Sequence, residues 1–214
     1  VYKRFCRMRR LWKKYFGDQV QIFAVDVNPE CAKLKQENTT IFIGSQSDKI
    51  FLQEIVDKLP MLDIIIDDGG HTMIQQKTSF EYLYHKVKDG GIYLVEDTHT
   101  SYWHEFHGGY KNSKSFIEYS KNLIDSLYDG HIENKRKIKI DEITRNINSI
   151  AFYDSIVVFE KKYREKPFHI QKGNKTITPM YDKTLKKDTI PMKVKKKIFG
   201  SKTHTFISNR KGKV

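Results

Sequence analysis

Cysteine is scarce in this chain: Cys6 and Cys31 are the two it has in 214 residues. Two cysteines cannot build a disulfide framework, so a reducing, cytoplasmic setting is expected. No run of 18 apolar residues occurs, so no membrane-spanning helix is expected. The first residues are basic, and no apolar stretch of the signal-peptide kind follows them. No internal repeat is visible. One folded domain is the expectation at this length.

What the chain does hold is charge, unevenly placed. The formal net charge is +13. Residues 1–16 carry seven Lys and Arg and no acid, and residues 161–214 carry 17 basic and 3 acidic side chains. Residues 17–160 carry 15 basic and 23 acidic ones, so the body is acidic and the ends are basic. A basic tail can attract a polyanion, but a solvated tail is the plainer reading and nucleic acid is not expected as a partner.

The stretch from Leu62 to Trp103 organises the rest. Two apolar runs, Leu62–Ile66 and Ile92–Val95, end in paired acids, Asp67-Asp68 and Glu96-Asp97. Short runs rich in Ile and Val read as buried strands. Between them, 72–87 has helical spacing, with Ile74, Phe80, Leu83 and Tyr84 on one face. Lys88-Asp89-Gly90-Gly91 is expected to stop that helix and turn the chain. A strand–helix–strand crossover makes the strands parallel, so both acidic pairs lie at one edge. Crowded carboxylates repel, and a divalent cation relieves them; oxygen ligands favour magnesium or calcium. The alternative is that one acid of each pair caps a helix or turn and the other is solvated. Two pairs on successive strands, with His71 just beyond the first, favour a site. Open parallel sheets bind ligands at that edge.

D-D-G-G-H at 67–71 and E-D-T-H-T-S-Y-W at 96–103 resemble the paired signatures of metal-dependent sugar O-methyltransferases of the mycinamicin and macrocin type, which use S-adenosylmethionine. The resemblance runs from Trp12 to Glu160, with Gly70 where many relatives have Ser. It implies an α/β fold with a Rossmann-like sheet, mostly parallel, ending in an antiparallel pair. It implies that Asp68, Glu96 and Asp97 hold Mg2+ and that His71 is the general base. It further implies that Asp26, Gln46 and Asp67 meet the cofactor, S-adenosylmethionine. The expected acceptor is a sugar-bearing small molecule or glycan, with Tyr102 and Trp103 candidates to flank the ring; homo-oligomerisation stays open.

The remaining segments fit that frame. Residues 2–16 read as an amphipathic helix with Phe5, Met8, Leu11, Trp12, Tyr15 and Phe16 near one face. Val20–Val25 is a strand with Asp26 at its tip, where nucleotide-binding folds place an acid for the ribose diol. A helix over 29–37 and a strand Thr40–Ile43 lead to Gly44-Ser45-Gln46-Ser47-Asp48. That loop resembles the family's G-D-Q segment near the adenine, with Ser45 in place of Asp. The helix 48–58 is expected to bury Ile50, Phe51, Ile55 and Val56. His99, His104 and His107 are not expected to bind metal beside a hard-oxygen set, and Gly108-Gly109 is expected to permit lid motion. A helix covers 111–128. Ile147–Tyr153 and Ser155–Lys161 form an antiparallel pair around Asp154. The domain is expected over 1–161, with a basic, mobile tail over 162–214.

One part of the family pattern has no counterpart: no Gly-rich loop precedes the helix at 2–16. The strand it follows belongs mid-sheet, between those ending at Asp26 and Asp67. The chain is therefore expected to be a portion of a longer enzyme or a truncated product. The alternative function is a non-catalytic module of this fold with a polyanion-binding tail. An RNA methyltransferase lacks support, because no N-P-P-Y-like motif is present.

Overall fold

The computed structural model describes residues 11–34, 37–132, 141–170 and 172–173. Its described part through Phe168 is one compact unit. The expected helix at 2–16 is described over 11–16 alone, where Trp12 stacks on Phe16 at 5.8 Å.

Six strands form two sheets. β1 (Ile22–Asp26) and β2 (Thr39–Ile43) pair in parallel, joined through a 3-10 helix at Pro29–Leu34. The second sheet has the order β3 (Leu62–Asp67), β4 (Val87–Val95), β6 (Ile156–Lys161), β5 (Ile147–Tyr153). β3 and β4 are parallel, whereas β6 is antiparallel to both neighbours. The expected α/β fold, its parallel strand pairs and the hairpin around Asp154 are therefore present, but in two sheets among the described residues, with two of the four ladders parallel rather than most. Among the described residues, no ladder joins β1 to β3. Apolar residues on those strands stay partly exposed: Val25 is 38% and Ile64 37% exposed.

The helices start where short polar side chains satisfy free amides. Asp48 Oδ1 accepts from Ile50 N and Phe51 N at the head of α1 (Lys49–Lys58). Before α2 (Met73–Leu83), Gln75 reaches back to accept from the Thr72 amide at 3.2 Å. Ser115 caps α3 (Phe116–Asn122), and Asp141 caps α4 (Glu142–Asn146).

Two expectations need correction. Gly90-Gly91 is not a turn between helix and strand; it lies inside β4, which begins at Val87. Gly90 adopts φ 81, and the register slips between Leu62 and Ile64, so the strand absorbs the extra residues as a bulge. The helix faces bury Phe80, Tyr84 and Ile55 as expected, but one apolar residue on each helix turns outward. Ile74 is 63% and Ile50 75% exposed, while Met73, Gln76 and Phe80 on α2 and Leu52 and Ile55 on α1 are buried. Short helices can satisfy more than one apolar stripe, and packing against the sheet chooses between them.

Phe80 is the hub of the core. Its ring lies 4.5 Å from Phe159, 4.9 Å from Tyr84, 5.1 Å from Tyr93 and 6.0 Å from Tyr119. α2 is thereby held on the face of β4 and β6. Past β6 the chain remains fastened: Lys162 N donates to Asn146 O at 2.8 Å, and Arg164 donates to the carbonyls of Ser126, Leu127 and Thr144. The remainder of the expected tail lies largely outside the described residues.

Phe80→Ala should lower the unfolding free energy by roughly 3–5 kcal/mol, the usual loss for a fully buried Phe. Urea denaturation measures this; a loss under about 1 kcal/mol would contradict the central placement of the ring.

Candidate active site

Parallel pairing brings the ends of β3 and β4 level. Asp67 lies opposite Val95, and Glu96 N donates to Asp67 O at 2.9 Å, extending the ladder one step. The two acidic pairs leave the sheet side by side from that point.

Asp68, His71 and Asp97 converge there. Each offers one ligand atom, and the three atoms lie within 4.8 Å of one another. His71 Nε2 is 3.3 Å from Asp97 Oδ2, with the side chains 18% and 37% exposed. His71 Nδ1 is buried without a hydrogen-bond partner. An imidazole lone pair facing a carboxylate is unfavourable unless a proton or a cation lies between them. Two carboxylates within reach of a common point, with an imidazole beside them, suit a divalent cation. Asp97 is in the left-handed region, φ 52 and ψ 34, which is uncommon outside glycine but which Asp tolerates better than most residues.

Glu96 is not in this trio. Its carbonyl accepts from Gln76 Nε2 at 3.1 Å, and its side chain is partly buried. His99, His104 and His107 are likewise outside the described metal-capable cluster. His99 instead packs edge-on against Trp103 at 4.6 Å.

Asp67 turns inward. It is 8% exposed, and its oxygens accept from Gln46 Nε2 at 3.0 Å and Tyr93 Oη at 3.4 Å. Burial pushes its carboxyl up to about 6, against the opposing effect of those hydrogen bonds. Gln46 also accepts from Gly70 N at 2.6 Å, so both ends of its amide link the β2 loop to the β3 loop. A Cβ at Gly69 would lie 1.9 Å from Gln46 Oε1, so this close passage requires glycine. Asp26 sits half-buried at the tip of β1, where Oδ1 accepts from Asn28 N at 2.9 Å. A second carboxylate oxygen there suits a diol.

The loop after β4 differs from its expectation. Gly108 and Gly109 are buried and donate to Trp103 O and Ser101 O at 3.0 and 2.8 Å. A Cβ on Gly108 would lie 2.5 Å from the carbonyl oxygens of Thr100 and Ser101. These glycines permit close backbone packing rather than a lid. Trp103, on this pinned loop, is 47% exposed. Sequence reasoning missed the buried hydroxyls Thr98, Thr100 and Ser101, each at most 2% exposed. The T-H-T-S run was the signal available for them.

Parallel strands that deliver acids to one edge, followed by an antiparallel pair, fit a methyltransferase-type α/β fold. A methyltransferase of the mycinamycin biosynthetic pathway, MycE, solved in complex with Mg, SAH and mycinamycin VI, superposes with a TM-score of 0.66 at 29% identity. The match covers 73% of this chain and 40% of that one. The chain is homologous to sugar O-methyltransferases. Demethylmacrocin O-methyltransferase of Streptomyces fradiae is 30% identical over 155 residues, covering 71% of this chain and 39% of that protein. The 8-demethyl-8-alpha-L-rhamnosyl tetracenomycin-C 2'-O-methyltransferase of Streptomyces olivaceus is 29% identical over 154 residues, 72% of this chain and 40% of that protein. The chain thus spans about 40% of the length of the curated relatives it matches. No family model matches it.

The raised value of Asp67 gives a signed pH dependence. The folded chain keeps this proton to higher pH than the unfolded chain. The associated stability is therefore present below pH about 4 and lost as pH rises through about 6. In metal-free buffer, wild type should lose roughly 2 kcal/mol relative to Asp67→Asn between pH 4 and 7. Parallel stability profiles for the two proteins would contradict the burial argument.

Proposed function

We propose that this chain takes part in methyl transfer from S-adenosylmethionine to a sugar hydroxyl of a sugar-bearing macrolide or polyketide, with a divalent cation, Mg2+, at the site. The observation that carries this reading is the convergence of Asp68, His71 and Asp97 at the ends of two paired parallel strands. The relatives' names and the Mg and SAH in the MycE complex support it.

Asp68 and Asp97 would hold the cation, with Glu96 adjacent as the further carboxylate that the family resemblance assigns. Asp26 would accept hydrogen bonds from the ribose hydroxyls, because one carboxylate serves both groups of a diol. Asp67 and Gln46, hydrogen-bonded to each other at 3.0 Å, would stand on the cofactor side, as the family resemblance assigns. The bound cation supplies positive charge that makes an acceptor hydroxyl more acidic, and S-adenosylmethionine supplies the methyl group on its sulfonium sulfur.

His71 accepts the hydroxyl proton at Nε2. Asp97 Oδ2, 3.3 Å away, then stabilises the imidazolium. The pinned loop offers Trp103 and Tyr102, each 47% exposed, as apolar faces for the sugar or its aglycone. No helix among the described residues is long and apolar enough to cross a membrane. A cytoplasmic location fits an enzyme that draws on this donor.

The test is transfer of labelled methyl from S-adenosylmethionine to a sugar-bearing macrolide by the 214-residue chain, with Mg2+ or with EDTA. Transfer should require the metal, and Asp97→Ala should reduce it by about 100-fold or more, as should His71→Ala. Transfer unaffected by EDTA and by Asp97→Ala would remove the metal from the reading. No transfer under any condition would favour a non-catalytic role.

A further inference from the structure

Thr100 lies three residues beyond Asp97 and is 2% exposed. Its hydroxyl oxygen is 2.9 Å from the carbonyl oxygen of His71 and 2.9 Å from that of Asp97. A hydroxyl carries one proton, so the two carbonyls share it. They belong to different loops, one leaving β3 and the other leaving β4. They also belong to the two residues whose Nε2 and Oδ2 face each other at 3.3 Å.

A buried threonine that merely closed a 3-10 turn would need only the Asp97 carbonyl, three residues back. The bond to His71, 29 residues away, is not required by that local motif. Thr100 N also donates to Asp97 O at 3.2 Å, so Thr100 grips the left-handed residue twice. The next residue anchors the loop from behind: Ser101 Oγ accepts from Ile117 N at 3.2 Å, on α3.

We propose that Thr100 is a positioning residue whose hydroxyl ties the His71 loop to the Asp97 loop and sets the spacing of the groups that bind the cation and accept the proton. This rests on the reading of Asp68, His71 and Asp97 as a divalent-cation site. Loss of the hydroxyl frees the His71 carbonyl and leaves Asp97 O to the Thr100 amide alone, so the two loops part and the site widens.

The experiment is calorimetric titration of Mn2+ into the 214-residue chain, beside thermal unfolding, for wild type, Thr100→Val, Thr100→Ser, Ser101→Ala and Asp97→Ala. Thr100→Val should weaken Mn2+ binding about 10-fold or more, and Thr100→Ser should stay within about twofold of wild type. Ser101→Ala, a change on the same loop that leaves the bridge intact, should lower Tm without altering affinity. If Thr100→Val does not fold, Thr100→Ala gives the same reading without added bulk. Wild-type affinity in the hydroxyl-deleted variants, with binding lost in Asp97→Ala, would overturn the role of Thr100 and leave the site standing. No binding to wild type, or equal binding to Asp97→Ala, would overturn the site reading and this proposal together.

Discussion

Everything at this site depends on the parallel pairing of β3 with β4. Because Asp67 is opposite Val95, both chains leave the sheet at the same height. Asp68 and Asp97 therefore emerge beside each other, and the loop that leaves β3 brings His71 beside them. An antiparallel partner would have placed the second acidic pair at the far end of the sheet. The sheet gains its rigidity from Phe80, which clamps α2 onto β4 and β6.

A second layer of polar contacts holds the loops themselves. Gln46 ties the β2 loop to Asp67 and Gly70. Gln76, wholly buried, holds the Glu96 carbonyl. Thr100 bridges His71 and Asp97. Buried polar groups are costly unless paired, so such links define one arrangement and disfavour others. The carboxylates at the edge can then stand closer than their mutual repulsion would allow on mobile loops.

Much of this was legible in the sequence because strand ends and acids are local features. The runs ending at Asp26, Asp67 and Val95, the crossover helix and the terminal hairpin need only short-range pattern. The resemblance carried by the two motifs pointed to Asp68, Glu96 and Asp97 as ligands and to His71 as base; the structure brings Asp68, His71 and Asp97 together, without Glu96. Four things were not legible. Ile74 and Met73 are neighbours of similar hydropathy, and only packing decides which one is buried. Gly90-Gly91 has the composition of a turn, yet the register of β3 turns it into a bulge within β4. Gly108-Gly109 looks like a hinge, while the carbonyls of Thr100 and Ser101, packed against Gly108, are seen only in three dimensions. The bridge made by Thr100 joins residues 29 apart, and no local pattern encodes it.

The central claim is that Asp68 and Asp97, beside His71, form a divalent-cation site. Anomalous diffraction from crystals grown with Mn2+ tests it most directly. The account predicts one strong peak within bonding distance of carboxylate oxygens of Asp68 and Asp97. A peak elsewhere with none at this edge, or no bound Mn2+ at all, would contradict it.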